Sequence, residues 1–419
     1  MDGETGPGSY SEDKLAQIPA LLQPVVDAGD ISGFVTLVWR DGAVVQVDAV
    51  GRRNLDTGKP MTRDTLFRIA SMTKPIVSVA AMMLMEQGKL SLQDPITRWA
   101  PEFADMRVLD DPSGPLDATH PAPRDITIED LLTHRSGLSY NFNSQGPIGY
   151  AYDEGLGSPL ASDLTPDEWM RRLGALPLLY PPGDRFHYGH SSDVLAFIVA
   201  RIMGASLGEA LQTLILGPLG MKDTAFWVPP EKHDRLARIY RKRPDGAFKD
   251  VSYGLTPAPD AWEAGGGGLI STADDYLAFA RMLLGGGEAD GVRLLKPETV
   301  AMMATNLLTP AQRAIPFFGT PIWSIMGFGL GLSCVMNAQI ANMVGATSEG
   351  AFGWPGAFGT WWQADPKTGT ILIYLVQESA TDFGPGTSTN AAAAAVLGGR
   401  ATLPQFQKTA YAALGLRAT

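Results

Sequence analysis

An α+β architecture, with an antiparallel sheet built from both ends of the chain around a mainly helical middle, is predicted by three observations. Near the start, Ile31 to Ala49 reads as two strands with Asp41-Gly42 as the hairpin turn between them. Near the end, Ala357 to Ala364 and Thr370 to Val376 read as two more, joined by Asp365-Pro366-Lys367-Thr368-Gly369. From about Leu90 to Met221 the apolar residues recur at helical spacing, interrupted by long loops. Strands at both ends and helices between place residues 1–86 and 265–419 in one α/β domain and residues 87–264 in a mainly helical one.

Taken in order, residues 1–12 read as a frayed terminus and Lys14 to Ala28 as an amphipathic helix. Gly51 to Asp64 is polar and turn-rich. Pro75 to Gln87 is apolar nearly all round, which predicts a helix buried on every side. Ser136 to Thr165 is rich in Gly, Ser, Asn, Pro and Tyr, an irregular stretch of a length usually kept for function. Gly265-Gly266-Gly267-Gly268 lacks a following Gly-Lys-Ser/Thr and reads as a flexible turn rather than a phosphate loop. Ser271-Thr272-Ala273-Asp274 then caps a helix over Tyr276 to Leu284. Two further helices are expected at Asn390 to Leu397 and Gln405 to Leu414.

The net charge of −11 repels phosphate backbones and argues against a nucleic-acid partner. The single cysteine, Cys334, excludes an intrachain disulfide and reads as a core residue of an apolar run. No basic start followed by an apolar stretch is present, nor a run of 18 uninterrupted apolar residues. Neither a secretory signal nor a membrane span is therefore expected, and a cytoplasmic location is.

Three segments carry chemistry. In Ser71-Met72-Thr73-Lys74-Pro75 the proline, which lacks an N–H, marks the first turn of the apolar helix. Ser71 then sits at a helix N-terminus and shares a face with Lys74. A serine hydroxyl needs a neighbouring base, and a lysine serves only where burial or positive charge weakens its hold on the proton. Taken alone, the pattern is also that of a helix cap with a surface lysine. Tyr188, in Phe186-His187-Tyr188-Gly189-His190, precedes a helix over Val194 to Met203, and a phenol beside a cation can accept and return a proton. His187 and His190 find no carboxylate or cysteine pattern that completes a metal site. Gly204-Ala205-Ser206-Leu207-Gly208 matches a nucleophile elbow, but a helix precedes it where the elbow needs a strand.

The Ser-x-x-Lys segment resembles that of penicillin-binding proteins, serine β-lactamases and the related carboxylesterases. Leu131-Leu132-Thr133-His134-Arg135-Ser136-Gly137-Leu138 and Gly265 to Thr272 are similar to stretches of the class C β-lactamase superfamily, so the resemblance covers roughly residues 30–380. It implies a β-lactamase/penicillin-binding-protein-like fold, with Tyr188 opening the second motif. His190 stands where β-lactamases often have Asn, a departure closer to the carboxylesterases. For the third motif, Lys367-Thr368-Gly369 has the composition of a hairpin tip, whereas Trp354-Pro355-Gly356 resembles the Trp-x-Gly of family VIII carboxylesterases and leaves room for the strands that must follow.

The resemblance implies Ser71, Lys74 and Tyr188 as catalytic residues, the N–H groups of Ser71 and Ala357 as the oxyanion hole, and Trp354 and Gly356 beside the substrate. Trp354 offers an apolar wall where a lysine would bind a carboxylate, so neutral esters are expected over anionic ones. Tyr140 and Phe142 are expected to line the pocket. Hydrolysis of small esters through an acyl-enzyme, with no metal or organic cofactor, is the implied activity. β-lactam or D-amino-acid peptide hydrolysis, acyl transfer and a non-catalytic scaffold are the alternatives. Whether Lys74 or Tyr188 is the base stays open.

Overall fold

A computed structural model describes residues 10–252, 262–379 and 402–416. The strands are β1 (Gly33–Arg40), β2 (Ala43–Asn54), β3 (Lys59–Pro60), β4 (Phe67–Arg68), β5 (Ile270–Ser271), β6 (Met326–Phe328), β7 (Ser333–Val335), β8 (Phe352–Gly353), β9 (Trp361–Asp365) and β10 (Thr370–Val376), apart from a few short ribbons. The longer helices are α1 (Gln17–Asp27), α2 (Thr73–Glu86), α3 (Pro147–Leu156), α4 (Pro166–Gly174), α5 (Ser191–Met203), α6 (Ala273–Leu284) and α7 (Leu403–Ala413). Eight strands form one antiparallel sheet in the order β6-β7-β8-β9-β10-β1-β2-β3. Strands from the two ends of the chain therefore meet at its centre, where Phe34 pairs with Val376 and Leu37 with Ile373.

Every residue of β10 is buried, because both faces of the central strands are covered. Successive side chains point to opposite faces. Val35, Leu37, Trp362, Ile371 and Ile373 join the large core that holds α2 and α6. Phe34, Val38, Leu372 and Tyr374 pack instead under α1 and α7, against Ile18, Leu22, Phe406 and Tyr411. This is why Thr370 to Val376 is apolar throughout rather than at alternate positions. Helix α2 runs through the large core and is buried from Thr73 to Met82.

The structure departs from the sequence expectations in four places. The strand expected from Ala357 begins only at Trp361, because the Gly356 N–H donates to Thr360 O (2.8 Å) and closes a turn in which Gly359 takes φ +85°. Strands β6, β7 and β8 were not anticipated, since two or three residues are too few to carry a period. The stretch 136–165 is not wholly irregular: Pro147 starts α3 within it. The four glycines form a close-packed segment rather than a flexible turn, as described below. Cys334 lies buried on β7, and the helix expected at Asn390 to Leu397 falls outside the described residues. Among the described residues no single helix is long and apolar enough to cross a membrane.

Trp362 is fully buried, with its ring 5.4 Å from that of Tyr276 and 6.2 Å from that of Phe279. Trp362→Ala is expected to lower unfolding free energy by roughly 3–5 kcal/mol in urea titration. Leu21→Ala, on the exposed side of α1, should change it by no more than about 0.5 kcal/mol.

Candidate active site

Ser71 lies between the short ladder of β4 with β5 and the start of α2. Phe67 pairs with Ser271 and Arg68 with Ile270, and the Ile69 N–H donates to Leu269 O (3.0 Å). Ala70 then takes φ +44°, a left-handed conformation that costs an alanine about 1 kcal/mol. The bend leads into a 3₁₀ turn, Ala70–Met72, and so into α2. Pro75 falls in the first turn of that helix, where its missing N–H removes no bond.

The structure brings Ser71, Lys74 and Tyr188 together. The Tyr188 hydroxyl donates to Ser71 Oγ at 2.7 Å, and Lys74 Nζ reaches the same oxygen at 3.2 Å. Lys74 is 2% exposed, so it is no surface lysine. Its ammonium also donates to Gly266 O (2.5 Å) and lies 4.6 Å from the centre of the Tyr188 ring and 5.4 Å from that of Tyr140.

Gly266 belongs to the tetraglycine, and its role there is close approach. A Cβ at this position would stand 2.5 Å from the Tyr140 hydroxyl and 2.9 and 3.0 Å from the two Asp193 carboxylate oxygens. Asp193 Oδ1 accepts the Gly266 N–H (2.7 Å). Its Oδ2 accepts the Tyr140 hydroxyl (3.3 Å) and bonds to His190 Nδ1 (2.9 Å). Burial and the Asp193 carboxylate push the Tyr140 phenol well above its ordinary range, so it stays a neutral donor. Asp193, which reads in the sequence as a helix-turn acid only, is thus a buried hub of this site. His190, at the position where β-lactamases often have Asn, serves it from inside a ring of Tyr140, Tyr152 and Trp169.

Trp354 is buried, and its indole N–H donates to the Tyr188 hydroxyl oxygen (3.3 Å). Its ring packs on Phe328 and Tyr188. A Cβ at Gly356 would stand 2.3 Å from Ile69 O, so only glycine lets this loop lie against the Ser71 segment. Ala357 follows and packs in one small cluster with Ala70. Among the described residues, neither the Ser71 nor the Ala357 N–H makes a hydrogen bond within the protein. Tyr140 is buried and stacks on Phe142 (4.9 Å between ring centres). Phe142 lies half-exposed beside Phe318.

Two other motifs lie elsewhere. Lys367-Thr368-Gly369 is in the hairpin joining β9 and β10. Ser206 caps the short helix Leu207–Leu211, accepts the Glu209 N–H and donates to Glu263. Among the described residues no group of three or more His, Cys, Asp or Glu side chains is placed to hold a metal ion.

His134 and Asn143 also belong to the site, although the sequence reading assigns neither a role. The His134 ring lies 4.8 Å from that of Tyr188, tilted by 44° to it. Burial, then the nearby Lys74 cation, holds its imidazole well below the usual range, so it stays neutral. The Asn143 side chain donates to Tyr188 O (2.7 Å). His134 falls in the Leu131 to Leu138 stretch, but no spacing ties it or Asn143 to Tyr188, because each is brought in from a part of the chain distant from Tyr188.

The His187 ring bonds Ser139 Oγ (2.8 Å), and burial, with Arg185 adding, pushes its imidazole down to about 4. The unfolded chain then binds a proton near pH 6.5 that the folded chain refuses until about pH 4. Stability is full above that window and falls as pH drops through it, by roughly 1–3 kcal/mol at its lower end. Denaturant midpoints measured from pH 7 to pH 4 should fall less in His187→Gln than in the wild type.

The chain matches the beta-lactamase family over residues 18–396. It is 49% identical over 405 residues to Protein Rv1367c of Mycobacterium tuberculosis, a match covering 95% of this chain and 98% of that one. It is 34% identical over 391 residues to Esterase EstB of Burkholderia gladioli, covering 88% of this chain and 92% of EstB. Among solved structures, EstCE1, a hydrolase with promiscuous acyltransferase activity, is similar with a TM-score of 0.77 at 27% identity, over 96% of this chain and 99% of that one. The antiparallel sheet flanked by helices is accordingly of the β-lactamase/penicillin-binding-protein type. With a family match over nearly its whole length and these relatives, the chain belongs to the beta-lactamase family.

Proposed function

We propose that the protein is a serine hydrolase that cleaves small, neutral carboxylic esters through an acyl-enzyme on Ser71. One observation carries this reading: a single hydroxyl, Ser71 Oγ, is held by both the Tyr188 hydroxyl (2.7 Å) and the Lys74 ammonium (3.2 Å). With one proton fewer on the pair, as phenolate with ammonium or as phenol with neutral amine, it takes the Ser71 proton as Ser71 attacks the ester carbonyl. The Ser71 and Ala357 N–H groups receive the carbonyl oxygen as it becomes an oxyanion. The pair then protonates the departing alcohol. Water enters by the reverse path and releases the acid.

Trp354 has two parts in this scheme. Its N–H supports negative charge on the Tyr188 oxygen. Its ring offers no cation to a substrate carboxylate, which favours neutral esters over β-lactams. Similarity to EstB supports ester hydrolysis. Similarity to EstCE1 supports a second reading of the same acyl-enzyme, in which an alcohol rather than water takes the acyl group.

Ser71→Ala is expected to lower p-nitrophenyl butyrate turnover by roughly 10³-fold or more and to abolish fluorophosphonate labelling. Retained activity in this variant would remove Ser71 from the mechanism. Trp354→Phe keeps an aromatic, though smaller, ring and loses the donor, so kcat should fall about tenfold with KM little changed, the effect of one hydrogen bond to a charged group. Adding a short-chain alcohol to the p-nitrophenyl butyrate reaction should yield the transferred ester beside the free acid if the second reading holds, and free acid alone if it does not.

A further inference from the structure

Residues Phe317 to Thr320 close a tight hairpin turn. The Phe317 N–H donates to Thr320 O and the Thr320 N–H to Phe317 O, each at 2.9 Å. The two central residues, Phe318 and Gly319, take φ +47° and +76°. Turns with two positive φ values favour Asn-Gly or Asp-Gly, because a residue with a large side chain is strained there. Phenylalanine at the first position is a locally poor choice, because a bulky side chain is strained at this φ. The ring it displays does not offset that strain by full burial, since Phe318 stays half-exposed.

That ring stands beside Tyr188, the partner of Ser71. Its centre lies 6.3 Å from Tyr188, 4.4 Å from Phe317 and 6.4 Å from Phe142. Phe318 also borders a cleft of about 440 Å³ whose walls include Tyr188, Phe186, Phe317, Tyr180 and Asn143, a size typical of small-molecule sites. Tyr188 belongs both to this cleft and to the hydrogen-bonded group at Ser71. Arg185, a cation of the cleft wall, is already paired with Asp184 (2.7 Å) and lies over the Tyr180 ring (4.1 Å). The cleft thus joins the Ser71 group through Tyr188 and presents aromatic rings on one part of its wall, with that cation occupied and with Asp111, Ser113, Gln145 and His187 on the rest.

We propose that Phe318 is a specificity-determining residue. It is held in a strained turn so that its ring forms the outer wall of a subsite for the apolar group of the ester, and this selects aryl esters over small alkyl ones. The inference rests on the reading of Ser71 as nucleophile. Edge-to-face and offset contacts with Phe142, Phe317, Phe318 and Tyr188 are what such a wall offers an aromatic substrate.

The test compares wild type with Phe318→Asn, which suits the turn, and Phe318→Ala. In the Asn variant the melting temperature is expected to hold or to rise by about 1–2 °C. KM for 1-naphthyl acetate should rise about five- to tenfold in both variants, the loss of one aromatic contact. The kcat for that ester, the kcat/KM for ethyl acetate and the rate of fluorophosphonate labelling should stay within about twofold of wild type. Unchanged KM with normal labelling would overturn the inference and leave Ser71 in place. Should the wild type neither label nor hydrolyse esters, the reading of Ser71 fails by itself. Calorimetric binding of 1-naphthol then decides on the subsite: five- to tenfold weaker binding in Phe318→Asn supports it, and equal binding overturns it.

Discussion

A lysine ammonium withdrawn from water must be compensated where it lies, and much of the structure around Ser71 follows from that constraint. Lys74 is buried in the first turn of an apolar helix, so no solvent can satisfy it. Its partners are one hydroxyl, one backbone carbonyl and two aromatic faces. The carbonyl belongs to Gly266, whose N–H is in turn held by the buried Asp193. A residue with no side chain is required there, since a Cβ would meet both the Asp193 carboxylate and the Tyr140 hydroxyl. The tetraglycine, the first turn of α5 and the loop carrying Tyr140 are thereby tied to a single charge.

The second organising element is aromatic. Tyr140, Phe186, Tyr188, Trp323, Phe328 and Trp354 form one buried cluster, with Phe142, Phe317 and Phe318 at its edge. Such a cluster holds the Tyr188 phenol in place by packing on several sides, and Trp354 adds a hydrogen bond to its oxygen. It also keeps most of the Tyr188 ring from water, and hydrogen bonds are stronger where water is excluded. Of the residues with positive φ, Ala70 stands beside Ser71 and Phe318 at the cleft. Both are fixed by neighbouring hydrogen bonds, which is how sparsely populated backbone conformations persist.

Much of this was legible in the sequence, and the reason is local. A serine three residues before a lysine, with proline next and an apolar run after it, is determined by short-range chemistry: the helix start, its buried faces and the shared side of Ser71 and Lys74 all follow. The central strands β1, β2 and β10 were legible because seven or more residues carry a pattern. The choice of Trp354 over Lys367 came from the resemblance to Trp-x-Gly, with the count of strands in agreement; Lys367 lies in a hairpin and Trp354 against Tyr188.

Only the tertiary structure decided the remainder. The short edge strands β6 to β8 form because a sheet is there to pair with, not because two or three residues favour extension. The tetraglycine reads as flexibility, yet it is held tightly because Ala196, Tyr140 and Asp193 approach it from segments far away in the chain. Asp193 carries the signature of a helix-turn acid, and its hydrogen bonds to Gly266, Tyr140 and His190 depend on three separate segments meeting. The sequence by itself determined that Ser71 and Lys74 share one side at the start of an apolar helix, since that depends on neighbours along the chain. The fold decided what holds the charged groups, which rings wall the cleft and where backbone strain falls, since those depend on neighbours in space.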